Sequence, residues 1–438
     1  MADSLRIGIA GLGTVGASLV RILQQRSNEL AITCGRAIEI IAVSARDRSR
    51  DRGIDLKGIT WFDTPEQLAN EADIDVLVEL VGGASGQAEK AVRAALSRGL
   101  HVVTANKALL AKHGVELATI AEEKGALLNF EAAVAGGIPV IKALRESLTG
   151  NNVSRIYGIM NGTCNYILTK MEKEGLSFEV CLKEAQRLGY AEADPAFDIE
   201  GNDTAHKLAI LTTLAFGNKI SADDIYLEGI TNISSEDIQA AAELGYRIKL
   251  LGVAQVTESG IEQRVHPTMV PLDSVIAQVD GVTNAVAIES DILGELLMVG
   301  PGAGGNATAS AVLGDIADIA KSRPGAQQVP VLGRPAKSLT DYRRAKMKSH
   351  EGGYFIRLTV KDQAGVFASI ATRMADNNIS LESIVQRHGK NGGNSGSSVP
   401  VILITYATSE DAVRKALAAV SRDKVISGRP QVIRIEKN

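Results

Sequence analysis

The stretch Leu5-Arg6-Ile7-Gly8-Ile9-Ala10-Gly11-Leu12-Gly13-Thr14-Val15-Gly16 opens the chain with an apolar run that ends in regularly spaced glycines. The run reads as a buried parallel strand, and residues 17–30 read as the helix that follows it. Glycines at 11, 13 and 16, set between strand and helix, have the spacing that a dinucleotide pyrophosphate requires. Gly11 permits the tight turn. Gly13 lets the backbone approach the phosphates at a helix N-terminus, and Gly16 lets the helix lie close on the strand. Leu12, Thr14 and Val15 complete the expected cradle.

Outward from that turn, strands are expected at 37–43, 74–81, 100–104 and 126–131, with helical segments such as 87–97 between them. The alternation indicates an α/β fold, a Rossmann-type doubly wound parallel sheet. The second strand runs into Ser44, Ala45, Arg46, Asp47 and Arg48. Guanidinium groups at Arg46 and Arg48 favour a ribose 2′-phosphate, hence NADP, while Asp47 leaves NAD open. With 438 residues there is room for two or three domains. Apolar residues at 45% and charged residues at 22% suit a globular protein. A net charge of -4 leaves no basic footprint for nucleic acid. Cys34, Cys164 and Cys181 are odd in number and widely spaced, which suits a reducing compartment better than a disulfide framework. No basic, apolar leader is visible and no run reaches the ~20 apolar residues of a membrane span, so a cytoplasmic location is expected.

Chemistry concentrates at 188–211, LGYAEADPAFDIEGNDTAHKLAIL. Gly189 marks a turn, Glu192, Asp194 and Asp198 make an acidic loop, and Gly201-Asn202 opens a helix. Asp203 and Lys207 lie four apart on it, so they share a face. Alone, such a pair reads as a solvated ion pair. Among further carboxylates, a lysine can meet a zwitterionic substrate and move a proton. His206 points about 100° round the helix from that face. Cys164 raises a competing chemistry, the thiol nucleophile of a phosphorylating semialdehyde dehydrogenase, but no histidine is placed to activate it.

This segment resembles that of the homoserine dehydrogenases, L-G-Y-x-E-x-D-P followed by D-[IL]-x-G-x-D-x-x-x-K. Four other stretches carry the same resemblance: Thr104-Ala105-Asn106-Lys107, Glu131 to Pro139, Asn161 to Tyr166 and Gly300 to Ser310. The resemblance implies reversible hydride transfer between NAD(P)H and C4 of L-aspartate 4-semialdehyde, giving L-homoserine. It implies Lys207 as proton donor with Lys107 assisting beside the nicotinamide, and Glu192, Asp203 and Asp198 as substrate-binding acids. It places Gly189 and Gly305 at the cofactor. It places a monovalent cation, sodium, on Glu131 and the carbonyls of Val134, Gly136 and Ile138; a capped glycine turn is the plainer alternative there.

The implied organisation is a nucleotide-binding unit at 1–135, completed by a helix at 305–325, and an α+β substrate and dimerisation unit at 136–304. A linker at 333–352 then leads to 353–438. That last part reads as βαββαβ and resembles an ACT domain, with Asp362 to Phe367 and Asn378 to Ser380 as its motifs. The resemblance implies an amino-acid effector, threonine, near Gly365 and Asn378. It also implies a homodimer or homotetramer.

Overall fold

The computed structural model describes residues 3–322, 329–345, 351–361, 363–386 and 398–436. Six strands form the first sheet: β1 (Leu5–Ala10), β2 (Ile38–Ser44), β3 (Thr60–Phe62), β4 (Val76–Glu79), β5 (His101–Thr104) and β6 (Leu128–Asn129). They are all parallel and run in the order β3-β2-β1-β4-β5-β6. Strands β1 and β4 are apolar along nearly their whole length because helices cover both faces. The order reverses between β1 and β4, which opens a crevice at their carboxyl ends.

Three local readings shift. The helix expected over 17–30 is two helices, Thr14–Gln25 and Ser27–Cys34, broken at Arg26. The polar run Gln24 to Glu29 offers no apolar stripe to hold one continuous helix on the sheet. Strand β3 was not foreseen; it is three residues long, below the length at which alternation is visible. The last strand shrinks to Leu128–Asn129 because the backbone turns at Glu131–Ala133 and passes through positive φ at Ala135 and Gly136. Helix Gly305–Lys321 returns to this first unit and buries Val312, Ile316 and Ile319 against the cluster holding Leu5, Ile7, Leu19 and Leu23.

The second sheet begins with β7 (Val153–Ile159), β8 (Tyr226–Leu227), β9 (Tyr246–Thr257), β10 (Gly260–Pro271), β11 (Thr283–Ser290) and β12 (Gly294–Pro301). The C-terminal strands β13 (Glu351–Lys361), β14 (Leu381–Gln386), β15 (Ser398–Thr405), β16 (Thr408–Ser409) and β17 (Ile426–Ile435) join it. The βαββαβ unit, with helices Val366–Asp376 and Glu410–Arg422, is ordered β17-β13-β15-β14. Strand β17 pairs in parallel with β10, Thr268 opposite Arg434 and Met269 opposite Ile435, so one eleven-stranded sheet runs through both units.

The expected linker at 333–352 is not loose where it is described. Ala336, Leu339 and Ala345 are buried, and Ile261 both donates to the Arg343 carbonyl (2.8 Å) and accepts from Ala345 (2.9 Å). Its Gly and Pro content suggested a tether, but its apolar residues dock it on the core. The motif residue Asp362 and residues 387–397 lie outside the described residues.

One buried charge on β9 makes the fold sensitive to pH. Lys249 is 1% exposed; its Nζ donates to the Val279 carbonyl (2.6 Å) and to Asn165 Oδ1 (3.2 Å). Burial pulls this ammonium down to about 8, with Asp280 pulling the other way. The folded chain therefore holds fewer protons than the unfolded chain between about pH 8 and the ordinary lysine value of 10.5, and stability rises with pH across that window. Urea unfolding of Lys249→Met is expected to lose this rise, on the order of 3 kcal/mol. An unchanged pH slope would refute the assignment.

Candidate active site

The glycine turn after β1 is built as a cradle. A Cβ on Gly16 would lie 2.0 Å from the Gly11 carbonyl oxygen, and one on Gly11, at φ +103°, would lie 2.5 Å from that of Leu80. Gly13 faces open space and caps helix Thr14–Gln25 without a side-chain acceptor, so the first amides of the helix stay available to an anion. Leu12 lies on this turn, and Thr14 and Val15 open the helix. Gly305 abuts the same helix: its Cβ would meet Ser18 Oγ at 2.8 Å and Thr14 Cγ2 at 3.0 Å.

Beyond β2, Arg46 and Arg48 are exposed, and Arg48 lies 5.8 Å from the centre of the Trp61 ring. Arg52 was not singled out from sequence. It flanks the same ring at 6.0 Å and donates from Nε to the Leu12 carbonyl (3.0 Å), tying the basic segment to the cradle. The available signal was arginine at every second position from 46 to 52.

Lys107 reaches the crevice from the carboxyl end of β5. Asn106 caps helix Lys107–Lys124 by accepting from Leu109 N (3.0 Å), while its Nδ2 donates to the Gly83 carbonyl (2.8 Å). Below it, buried Glu79 accepts from Thr104 Oγ1 (2.6 Å) and from the amides of Val81 and Gly82, which fixes this edge of the sheet.

From the other unit, Gly201 in the left-handed region (φ +90°) starts helix Asn202–Phe216, which carries Asp203 and Lys207. Lys207 Nζ donates to Asp203 Oδ2 (2.8 Å) and to the Met160 carbonyl (2.7 Å). Lys107 Nζ sits 2.8 Å from the other oxygen, Asp203 Oδ1. Asn161, unassigned from sequence, donates from Nδ2 to both Asp198 Oδ1 and Asp203 Oδ2 at 2.8 Å. One carboxylate therefore clamps two ammonium groups from two units. Its side chain is 6% exposed, against 11% for Lys207 and 33% for Lys107.

The electrostatics follow from this clamp. Burial pushes the Asp203 carboxyl up, but the Lys207 and Lys107 charges outweigh it and hold the group far below the usual range. Burial opposes the charge on Lys107, yet Asp203, Asp198 and Glu192 together raise it above the ordinary lysine value. Burial and the neighbouring Asp203 charge raise Asp198. Glu192 is exposed. Of the three acids expected at the substrate's ammonium, Asp203 is met by Lys207, Lys107 and Asn161, Asp198 accepts from Asn161, and Glu192 is exposed.

Two rival groups are out of play. Cys164 is fully buried, its Sγ donates to the Asp198 carbonyl (3.3 Å), and burial with the Asp198 charge pushes the thiol well up. A thiolate nucleophile has no footing there. His206 stacks edge-on against Phe197 at 5.3 Å, and burial lowers its pKa, so it stays neutral. Gly189, at φ +78°, forms the exposed turn after helix Phe178–Arg187.

The expected cation ligands are hard oxygens in a buried setting. Glu131 accepts from Ile141 N (2.8 Å) and Lys142 N (2.9 Å), and its own amide donates to Asp315 Oδ2 (2.8 Å). Among the described residues neither carboxylate forms a salt bridge. Burial raises Glu131 and pushes Asp315 up to about 8. Two adjoining buried carboxyls offer hard oxygens that fit a cation, although the Arg145 charge already acts on both and that of Lys142 on Glu131. The Val134, Gly136 and Ile138 carbonyls lie on the same turn, where Ile138 also accepts from Val140 N (2.8 Å). In the C-terminal unit, Gly365 and Asn378 flank opposite ends of helix Val366–Asp376.

A dinucleotide cradle facing two clamped lysines defines a nicotinamide-dependent dehydrogenase, here fused to a βαββαβ regulatory unit. Family models agree: "Homoserine dehydrogenase, NAD binding domain" matches residues 11–131, "Homoserine dehydrogenase" matches 139–317, and "ACT domain" matches 354–422. A homoserine dehydrogenase of Pseudomonas aeruginosa is 44% identical over 437 residues, covering 99% of both chains. The crystal structure of one from Thiobacillus denitrificans superposes with a TM-score of 0.92 at 41% identity, over 99% of this chain and 98% of that one. A hyperthermophilic archaeal homoserine dehydrogenase in complex with NADPH is 29% identical, covers 72% of this chain and 96% of its own, and has a TM-score of 0.61. The chain belongs to the homoserine dehydrogenase family, NAD(P)-dependent oxidoreductases acting on a CH–OH group.

Proposed function

We propose that the clamp at Asp203 is the catalytic device for the reversible reduction of L-aspartate 4-semialdehyde to L-homoserine. The observation that carries this is two lysines on the two oxygens of one buried carboxylate, beside the dinucleotide sheet. A bound reduced nicotinamide supplies the hydride to C4. The oxygen on that carbon gains charge and needs a proton, which Lys207 gives with Lys107 assisting. Asp203 and Asn161 position both amines, and Glu192 and Asp198 take the substrate's ammonium. Gly189 and Gly305 line the cofactor side.

Arg46 and Arg48, backed by Arg52, favour NADP, in keeping with the NADPH complex of the archaeal relative. A monovalent cation, sodium, is assigned to Glu131 and the carbonyls of Val134, Gly136 and Ile138. The units proposed are 1–135 with the helix in 305–325, 136–304, and 353–438. The last takes threonine as effector in a homodimer or homotetramer. No described helix is long and apolar enough to cross a membrane, and the proposed location is the cytoplasm.

The test follows absorbance of the reduced nicotinamide with L-homoserine and either NADP or NAD. Turnover faster with NADP is expected, and Arg48→Ala is expected to raise KM for NADP about tenfold while sparing NAD, the effect of losing one charge-assisted contact. No homoserine-dependent signal with either coenzyme would sink the catalytic reading, and a preference for NAD would sink the NADP assignment alone.

A further inference from the structure

Lys107 is the arm of the clamp that comes from the dinucleotide unit, and its two ends are held separately. Asp203 holds the ammonium. The backbone end is held by buried polar groups where β4 and β5 finish. Glu79 closes β4 and stands opposite Thr104, the last residue of β5, in the parallel register of the two strands. Both are fully buried. Glu79 Oε2 accepts from Thr104 Oγ1 (2.6 Å), and Oε1 accepts from the amides of Val81 (2.8 Å) and Gly82 (2.9 Å). Thr104 Oγ1 in turn accepts from Asn106 N (3.0 Å), and Asn106 Nδ2 donates to the Gly83 carbonyl (2.8 Å). These bonds close a ring, from Glu79 through Thr104 and Asn106 to Gly83 and back along Gly82. Gly82 and Gly83 lie at φ +82° and +91°, in the left-handed region, which lets the loop turn back on the carboxylate.

The ring has a direction. All three contacts to Glu79 are donors, which suits the acceptor-only carboxylate. Bracing the loop would take only the two backbone amides. The third bond reaches across to Thr104 and so to Asn106, whose Oδ1 accepts from Leu109 N (3.0 Å) and caps the helix that begins at Lys107. The ring also stands at the carboxyl ends of the strands, beside the crevice where a dinucleotide fits an open α/β sheet.

We infer that Glu79 is a positioning residue for the hydride-transfer site: through this ring it sets where Lys107 leaves the backbone, and thereby where its ammonium stands beside Asp203 and the substrate oxygen. This rests on the role given to Lys107 above. Glu79→Gln keeps the shape but breaks the direction of the ring. One amide oxygen can accept from the loop amides or from Thr104, not from both sides, and the amide nitrogen then faces a donor.

The test compares Glu79→Gln, Thr104→Val and Thr104→Ser in the full-length protein, alone and combined with Lys107→Ala. Glu79→Gln is expected to lower kcat with homoserine about thirtyfold, within the scale of a ~1 Å misplacement. NADPH, followed by fluorescence titration, is expected to bind within about threefold of the unaltered protein, because the cradle at Gly11 to Gly16 is untouched. Thr104→Val cuts the ring at its other joint and is expected to give the same loss, whereas Thr104→Ser keeps the hydroxyl and is expected to recover the rate to within about threefold. In the Lys107→Ala background Glu79→Gln is expected to change kcat by less than about twofold, since a residue that acts through Lys107 has nothing left to position. An acid with a merely structural role would impose its full loss there as well, and that result overturns the proposal. Normal kcat in both Glu79→Gln and Thr104→Val also overturns it and leaves the catalytic reading standing. Normal kcat in Lys107→Ala overturns both. Should Glu79→Gln fail to fold, Thr104→Val carries the same comparison.

Discussion

Lys207→Ala is expected to lower kcat by roughly a thousandfold while NADPH binds within about twofold of the unaltered protein, the scale of losing a positioned proton donor. The Lys207 side chain is 11% exposed and its amine is held by the Met160 carbonyl and Asp203, so its position is set before substrate arrives. Truncation leaves Asp203 with Lys107 and Asn161, so the clamp loses one arm rather than collapsing. The cradle at Gly11 to Gly16 is untouched. Lys207→Arg is expected to be nearly as slow, because guanidinium keeps its proton at neutral pH. Steady-state rates with homoserine, together with fluorescence titration of NADPH, measure both halves. Turnover within tenfold of normal in the alanine variant would remove Lys207 from the chemistry.

Asp203→Asn is expected to cost both folding and turnover. The amide keeps the shape but leaves two ammonium groups facing each other in a desolvated cleft. Removing one partner of such a buried set costs about 3–5 kcal/mol. The sign with pH follows from the depressed carboxyl. Its stabilisation is present above the unfolded carboxylate value and is lost only as pH falls through the much lower folded value. The asparagine variant is therefore expected to be less stable throughout the neutral and mildly acidic range, converging on the unaltered protein only in strong acid. Its kcat is expected to fall on the order of a hundredfold or more, because Lys107 and Lys207 lose their common anchor. Urea unfolding at neutral pH decides it: equal midpoints would show that Asp203 clamps nothing.

Much of the fold and part of the site could be read without coordinates. Helices over 87–97 and 366–376 fall where apolar spacing placed them, and the cradle residues sit where glycine spacing required. Asp203 and Lys207 share a face because both lie on one helix, four residues apart. Cys164 lacked a base in sequence and is buried in the structure. Lys107, by contrast, was legible only through the resemblance carried by Thr104-Ala105-Asn106-Lys107, because a strand-end lysine by itself reads as solvated.

What sequence alone determined was the set of local relations: a strand feeding a glycine turn, an i,i+4 pair, a βαββαβ order of elements. Those depend on φ, ψ and side-chain direction over a few neighbours, and the residues carry that information themselves. Tertiary structure alone decided that Lys107 and Asn161 meet one oxygen pair on Asp203, that β17 continues the sheet of β10, and that 333–345 lies docked. It also decided that Glu79, Thr104, Asn106 and Gly83 close one ring. Each of these joins segments far apart in the chain, and their meeting is set by how whole faces pack and register, a property no short window of residues contains.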